Sequence, residues 1–583
     1  PDHEGLASKA LAILKTHCYR CHGLDGTNEG GLNYILDRAK LVSRRKVLPG
    51  DPAKSRLFKR LLDADDPMPP PGEKIRPGKA DVALLRAWIE AGAAGTGPAS
   101  ARRDFLTPAD MLRYVRADLE KLPERNRRFT RYFTLTHLYN AGLSEDELQS
   151  YRHALSKLVN SLSWGSRIVV PQSVDPEKTI FRIDLRDYQW HEKIWEAVLA
   201  VNPYGVSRDS DDARGCQEAT HCGQPYVRGD WFVAAASRPP LYHEVLQLPG
   251  SEQALEKMLR VDTLENVRQE KTARAGFNSS GVSRNNRLIE RHEAGGVVYW
   301  KSYDFAGNVG RRNLFAHPLG PGDGADTFHQ DGGEIIFSLP NGLQAYVLVD
   351  AVGKRIDKGP TAIVSDPRRP DRAVENGISC MSCHARGMVE KYDQVRDHVL
   401  QNAQAFARAD RETILALYPP REKFAALLRQ DARRFKEAVE KTGAPLSASE
   451  PIVTLALRFE AELDLALAAA EAGVRPEALL RGLEQSPRLA RQLGPLRVQG
   501  GTVQRQVFVN TFPGLVRALR LGRFLHPKNG PAALVLAHAD ELLRNGAAAA
   551  AVKGYTEAVT YDPDNVVARL GRGQAYRANG DPV

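Results

Sequence analysis

Apolar residues recur at helical spacing over residues 5–17 (GLASKALAILKTH) and over 79–91 (KADVALLRAWIEA), where Gly92 offers a stop. The same spacing predicts helices over 108–121 and near 144–160. Thr107, Pro108 and Asp110 give the first of these an N-cap, a proline at N1 and an acid at N3. From about residue 165 the pattern becomes mixed, and short β-rich or buried runs (IVV, TIFRIDL, DWFVAAAS) alternate with Pro and Gly. Residues 297–305 (VVYWKSYDF) predict a strand. EIIFSLPNGLQAYVLVD predicts a hairpin, with Glu334–Leu339 and Leu343–Val349 flanking Asn341-Gly342. Further on, apolar faces predict helices over 393–407, 420–441, 451–472 and 476–485, two of them followed by Gly443 and Gly473.

Candidate chemistry is concentrated at two places on this pattern. Cys18-Tyr19-Arg20-Cys21-His22 follows the first helix, and Cys380-Met381-Ser382-Cys383-His384 precedes the helical C-terminal third. Both read CxxCH, the attachment signature of a c-type haem. Two thiols one helical turn apart can each form a thioether to a haem vinyl group, and the next histidine then coordinates the iron as proximal ligand. With six cysteines and 15 histidines in 583 residues, chance supplies such a motif with an expected count of about 0.002. A CxxC redox pair would not need the histidine, and zinc would need further donors from elsewhere. Two covalently attached haems c are expected, held by Cys18, Cys21 and His22 and by Cys380, Cys383 and His384.

Met68 lies in Asp66-Pro67-Met68-Pro69-Pro70-Pro71 and is the only methionine among the first hundred residues. The prolines hold that loop out of helix, so its thioether can reach the open face of the iron above His22. Trp88, on the closing helix, reads as a core or haem-packing residue. CYRCHG, GGLNYILDRAKL, VLPGDPAKSRLFKRL, DPMPPPGEK and LLRAWIEAGA, in this order, resemble the small class I-type cytochrome c domain of planctomycete proteins over about residues 5–95. The resemblance implies that Cys18 and Cys21 carry a haem with His22 proximal and Met68 distal. The rest of the chain is similar to the large multidomain cytochromes that carry such a domain.

The expected fold is multidomain and mainly α, with an α+β middle domain. Residues 1–98 form the small helical cytochrome c domain and 99–130 a linker and helix, within which 92–104 is a stretch of small and polar residues. The α+β domain runs over 131–370, a helical region with the second haem site over 371–525, and a repeat-like end over 526–583. In that end, Arg544-Asn545-Gly546 recurs as Ala578-Asn579-Gly580, a period of 34 residues, with a break at Asp562-Pro563. This resembles a tetratricopeptide repeat, which cannot bury both of its faces alone.

Composition narrows the functional classes. The formal charge is +10, and four haem propionates would bring it to about +6. The basic groups (Arg44-Arg45-Lys46, Arg125 to Arg131, Arg311-Arg312, Arg368-Arg369) do not form one run interleaved with aromatics, which argues against nucleic acid. They read as a solvated surface, or as steering for an acidic redox partner. No stretch approaches the ~20 apolar residues of a transmembrane helix. The chain opens at Pro1 without a signal-like leader. Covalent haem attachment in bacteria takes place outside the cytoplasm, so a periplasmic or equivalent location is expected. There, Cys216 and Cys222 suit a local disulfide.

The role of the second haem depends on its sixth ligand. No methionine follows Met388, which is expected on the proximal side, and Met111 and Met258 fall in helical segments. Methionine ligation is therefore not expected at His384. The candidate distal ligands are His292, then His317, His398 and His329; otherwise the face is open. Asp331 and Glu334 could supply acid–base groups near an open iron. Electron transfer is the expected function. The alternatives are a peroxidase-like oxidoreductase acting at the second haem and a haem-containing module that recruits partners through its repeat-like end.

Overall fold

The structure, a computed structural model, describes residues 3–580 except 24–31, 33, 94–102, 323, 325, 367–371, 448, 529–530 and 562–564. Most of the expected linker over 92–104, Arg368-Arg369 and the Asp562-Pro563 break lie outside the described residues. About half of the chain is helical and the rest mixes sheets and loops, so the mixed architecture expected from the pattern is present.

The N-terminal segment has its own core. Helix His3–His17 presents Ala7, Ala10 and Leu14 inward, and this stripe continues into the short helix Tyr19–His22. Helices Arg38–Ser43 and Arg56–Leu62 lead to helix Lys79–Glu90, whose Leu85, Trp88 and Ile89 complete the same core. Buried Ser55 ties the middle of this segment together by accepting from the Leu48 N–H at 2.8 Å.

A second body follows. Strands β1 (Thr130–Thr134), β2 (Gln172–Ser173), β3 (Ile180–Asp184) and β5 (Tyr226–Arg228) form a sheet in the order β2-β3-β1-β5. The two-residue strand β4 (Val206–Ser207) pairs with β14 (Arg523–Phe524), more than three hundred residues later. The larger sheet is a meander of β6 (Ala273–Asn278), β7 (Asn286–Ala294), β8 (Val297–Asp304), β9 (Gly332–Ser338), β10 (Gln344–Asp350) and β11 (Arg355–Ile356). The predicted hairpin is β9–β10, with Ser338 opposite Gln344. Strands β12 (Lys358–Gly359) and β13 (Val374–Glu375) form a small clip before the second motif.

One apolar core runs from Phe133 to Leu521, so the segments 131–370 and 371–525 are packed into each other. Both faces of the large sheet are covered, because its strands carry side chains of opposite direction at alternate positions. On one face, Trp300 stacks edge-on against Phe424 (5.8 Å between centroids), on helix Arg421–Lys441, and donates to Asp431 at 2.9 Å. The other face meets the short helices Glu252–Leu259 and Thr263–Arg268. At the end of the chain, helices Pro531–Arg544, Ala548–Tyr561 and Val566–Ala578 pack consecutively around Ala539, Ala551, Tyr555 and Ala575. No helix among the described residues is long and apolar enough to cross a membrane.

Candidate haem sites

At the first motif, the helical stripe delivers Cys18 and Cys21 on consecutive turns, and the His22 N–H bonds back to the Cys18 carbonyl at 2.9 Å. His22 Nδ1 lies 3.2 Å from the Leu32 carbonyl oxygen. A ring nitrogen that donates to a carbonyl fixes the tautomer and leaves Nε2 as the metal-binding nitrogen. Burial, with Cys21 beside it, pushes the Cys18 thiol up to about 11. Such a thiol is a poor thiolate, which disfavours a redox pair. Met68 is half-buried in the loop after helix Arg56–Leu62, and its N–H donates to the Arg60 carbonyl at 2.7 Å.

The second motif repeats this arrangement in a different setting. Helix Ile378–Cys383 carries both thiols, and His384 Nδ1 lies 3.2 Å from the Gly387 carbonyl oxygen. Two glycines let the segment turn so tightly. Gly377 has φ +79°, and a Cβ there would meet the Ser237 carbonyl oxygen at 2.5 Å. Gly387 has φ +88° and lies against Phe435 of helix Arg421–Lys441. Fully buried Asn376 holds the start of the helix: its Oδ1 accepts from the Gly377 N–H at 3.0 Å and its Nδ2 donates to His243 Nε2 at 2.6 Å. Burial and the Arg355 charge push His243 down to about 4, so its neutral ring serves as the acceptor. Burial, then Glu334, pushes the Cys380 thiol well above its ordinary value.

Cys380, Cys383 and His384 open onto a cavity of about 370 Å³. Its far wall is one face of the large sheet, including Phe277, Ile289, Ile336 and Leu348, with polar groups at Arg287, Ser302, Asp304 and Glu334. Arg287 donates to both Asp304 oxygens, at 2.6 and 2.9 Å, and sits 4.0 Å from Glu334. Two thiols and a carbonyl-held histidine facing an apolar wall suit a covalently bound, planar apolar group, so these residues fit a haem c. Met388 and Lys391 also line the cavity.

None of the four candidate distal histidines lines it. His292 lies on the opposite face of the sheet from Arg287 and Ile289, five and three residues earlier on β7, because of the alternation along a strand. There it is fully buried and bonded to Glu290 at 2.7 Å and to Asn266 at 3.3 Å. His317 sits half-buried in a loop, His398 packs between Phe315 and Phe406, and His329 is exposed. Of the two suggested acids, Glu334 faces the cavity, whereas Asp331 caps the Ala306 N–H at 2.7 Å and pairs with Arg312. The disulfide expected between Cys216 and Cys222 is not shown. The two thiols are held in different places: Cys216 is buried in a small cluster with Met111 and Leu112, and Cys222 packs on the main core. The pattern of the sequence did not mark Arg287, Asn376 or His243 as site residues, since each is placed by partners distant in the chain.

Together, the small helical domain, the two thiols and the carbonyl-held histidine define a c-type cytochrome domain at the N-terminus. A family described as Planctomycete cytochrome C matches residues 18–72, which contain Cys18, Cys21, His22 and Met68. That domain binds haem c covalently and supports haem-based electron transfer in general terms. No curated protein and no solved structure matches the chain.

Proposed function

We propose that the chain is an extracytoplasmic diheme c-type cytochrome that transfers electrons. The first haem is held by Cys18, Cys21, His22 and Met68, and the second by Cys380, Cys383 and His384 without methionine ligation. One observation carries the second haem: both motifs tie the histidine Nδ1 to a backbone carbonyl at 3.2 Å, and only the first lies within the matched family segment. A haem in each site would supply an iron centre that changes charge by one electron. The protein supplies attachment, ligand orientation and a covered setting. The basic surface suits an acidic redox partner, and the repeat-like end suits a protein partner.

A second reading has its own support. The cavity places Glu334 and Arg287 on the wall facing the motif, and none of the four histidines reaches it. This arrangement favours an open sixth position and a peroxidase-like oxidoreductase, with Glu334 as the acid–base group. Haem quantification with ferric spectra of the matured protein tests both readings. Two haems, both low-spin, support electron transfer alone. A high-spin second haem that binds cyanide rapidly supports the enzyme. A single haem per chain overturns the diheme proposal.

A further inference from the structure

Away from both haem motifs, a cavity of about 530 Å³ opens where the cytochrome domain meets the second body. A charged clamp closes one side of it. Lys40 Nζ, from the cytochrome domain, lies 3.5 Å from Glu147 Oε1, and Arg458 Nη2 donates to the same oxygen at 2.6 Å. Burial opposes ionisation of Glu147, but Arg458 and Lys40 hold its carboxyl down to about 2. The clamp leaves two donors unused. Arg458 Nη1 and Arg44 Nε are buried and have no acceptor. Arg44 has no ion-pair partner among the described residues; its guanidinium lies 5.0 Å from the centre of the Tyr34 ring, and its Nη2 donates to the Glu462 carbonyl at 3.5 Å. A buried N–H without a partner is destabilising, so two of them on residues that line one cavity from two different bodies call for an acceptor between them. Of the acids lining it, Asp230 is 2.9 Å from His137, Asp37 is 2.9 Å from Lys40, Asp464 accepts from the Leu467 N–H at 2.9 Å and Glu462 accepts from the Thr502 hydroxyl, while Arg505 is paired with Glu471. The remaining walls include Leu138, Leu143, Phe459 and Leu467.

We propose that this cavity binds a small organic carboxylate, with its carboxylate bridging Arg44 and Arg458 and its apolar body against Leu138, Leu143 and Phe459. Guanidinium groups are suited to carboxylates through paired, charge-assisted hydrogen bonds. Inorganic phosphate shares the oxyanion chemistry but would leave the apolar walls and most of the volume unused. A cavity of this size matches the range of small-molecule pockets. A bound carboxylate would also join the cytochrome domain to the second body.

Isothermal titration of the full-length holoprotein with sodium benzoate and with sodium octanoate tests the proposal, with inorganic phosphate as the headgroup-only probe. Saturable binding of at least one acid at one site per chain is expected, weakened about tenfold or more in Arg44→Gln and in Arg458→Gln. Arg458→Gln also breaks the clamp with Glu147, so if that variant fails to fold, Arg44→Gln decides the matter. Failure of both acids to bind, binding unchanged in Arg44→Gln, or phosphate binding as tightly as either acid would overturn the proposal.

Discussion

Cys18–His22 and Cys380–His384 share a motif and a local hydrogen bond, yet they sit in two different kinds of environment. The first closes a helix in a small domain with its own core, and Met68 stands on a short loop of that same domain. The second is inserted between a six-stranded sheet and a long helix, within a core that draws on residues almost four hundred positions apart. CxxCH thus specifies attachment and the proximal ligand, which are local matters. What surrounds each motif is set by the fold. At the first, the packed residues are all close in sequence. At the second, they include a sheet wall with an arginine and two acids, Arg287, Asp304 and Glu334.

The sharpest way to break this comparison is to remove attachment one site at a time. Cys380→Ala with Cys383→Ala is expected to lower the haem content from two per chain to one, and Cys18→Ala with Cys21→Ala to do the same, as read by pyridine haemochrome quantification. If the Cys380/Cys383 pair leaves the content unchanged, the second site does not exist. A smaller effect is expected from the support of the second motif. Asn376→Ala leaves the His243 ring and the Gly377 N–H without a buried partner. It should destabilise the second body by about 2–3 kcal/mol in urea unfolding, while the isolated N-terminal domain is unaffected because it does not contain the residue. A loss below about 0.5 kcal/mol would show that this pair does not hold the motif.

The smallest effect concerns the face of the sheet turned away from the cavity. Burial, then neighbouring Glu252, pushes Glu256 up to about 7 from an ordinary 4.5. The folded protein therefore binds this proton more tightly than the unfolded chain does. The contribution is fully present below pH 4.5 and is lost as pH rises through about 7. Glu256→Gln should raise the melting temperature at pH 8 relative to wild type and flatten the profile between those values. An unchanged difference between pH 5 and pH 8 would remove this group from the account.

The cytochrome c character of the N-terminal domain was legible because its determinants are close in sequence and carry distinct chemistry: paired thiols and an adjacent histidine. Helix starts such as Thr107-Pro108 and the β9–β10 hairpin were legible for the same reason, since caps and turns are local. The distal wall of the second site was not. Period-two alternation places His292 and Ile289 on opposite faces of β7, but it does not say which face meets the motif. Cys216 and Cys222 are near in sequence, but their side chains belong to different clusters, which spacing does not reveal. Arg287 and Asn376 read as ordinary polar residues until Asp304, Glu334 and His243 are brought beside them.

The central claim is that one chain holds two haems with different axial ligation, and a spectroscopic redox titration of the intact protein beside Met68→Ala tests it most directly. The account predicts two one-electron steps in the wild type, with a methionine–iron charge-transfer band belonging to one of them alone. In Met68→Ala that band should disappear and the corresponding potential should fall, because the thioether favours ferrous iron, while the other step stays in place. A methionine signature from both haems, or a Met68→Ala titration that overlays the wild type, would contradict it.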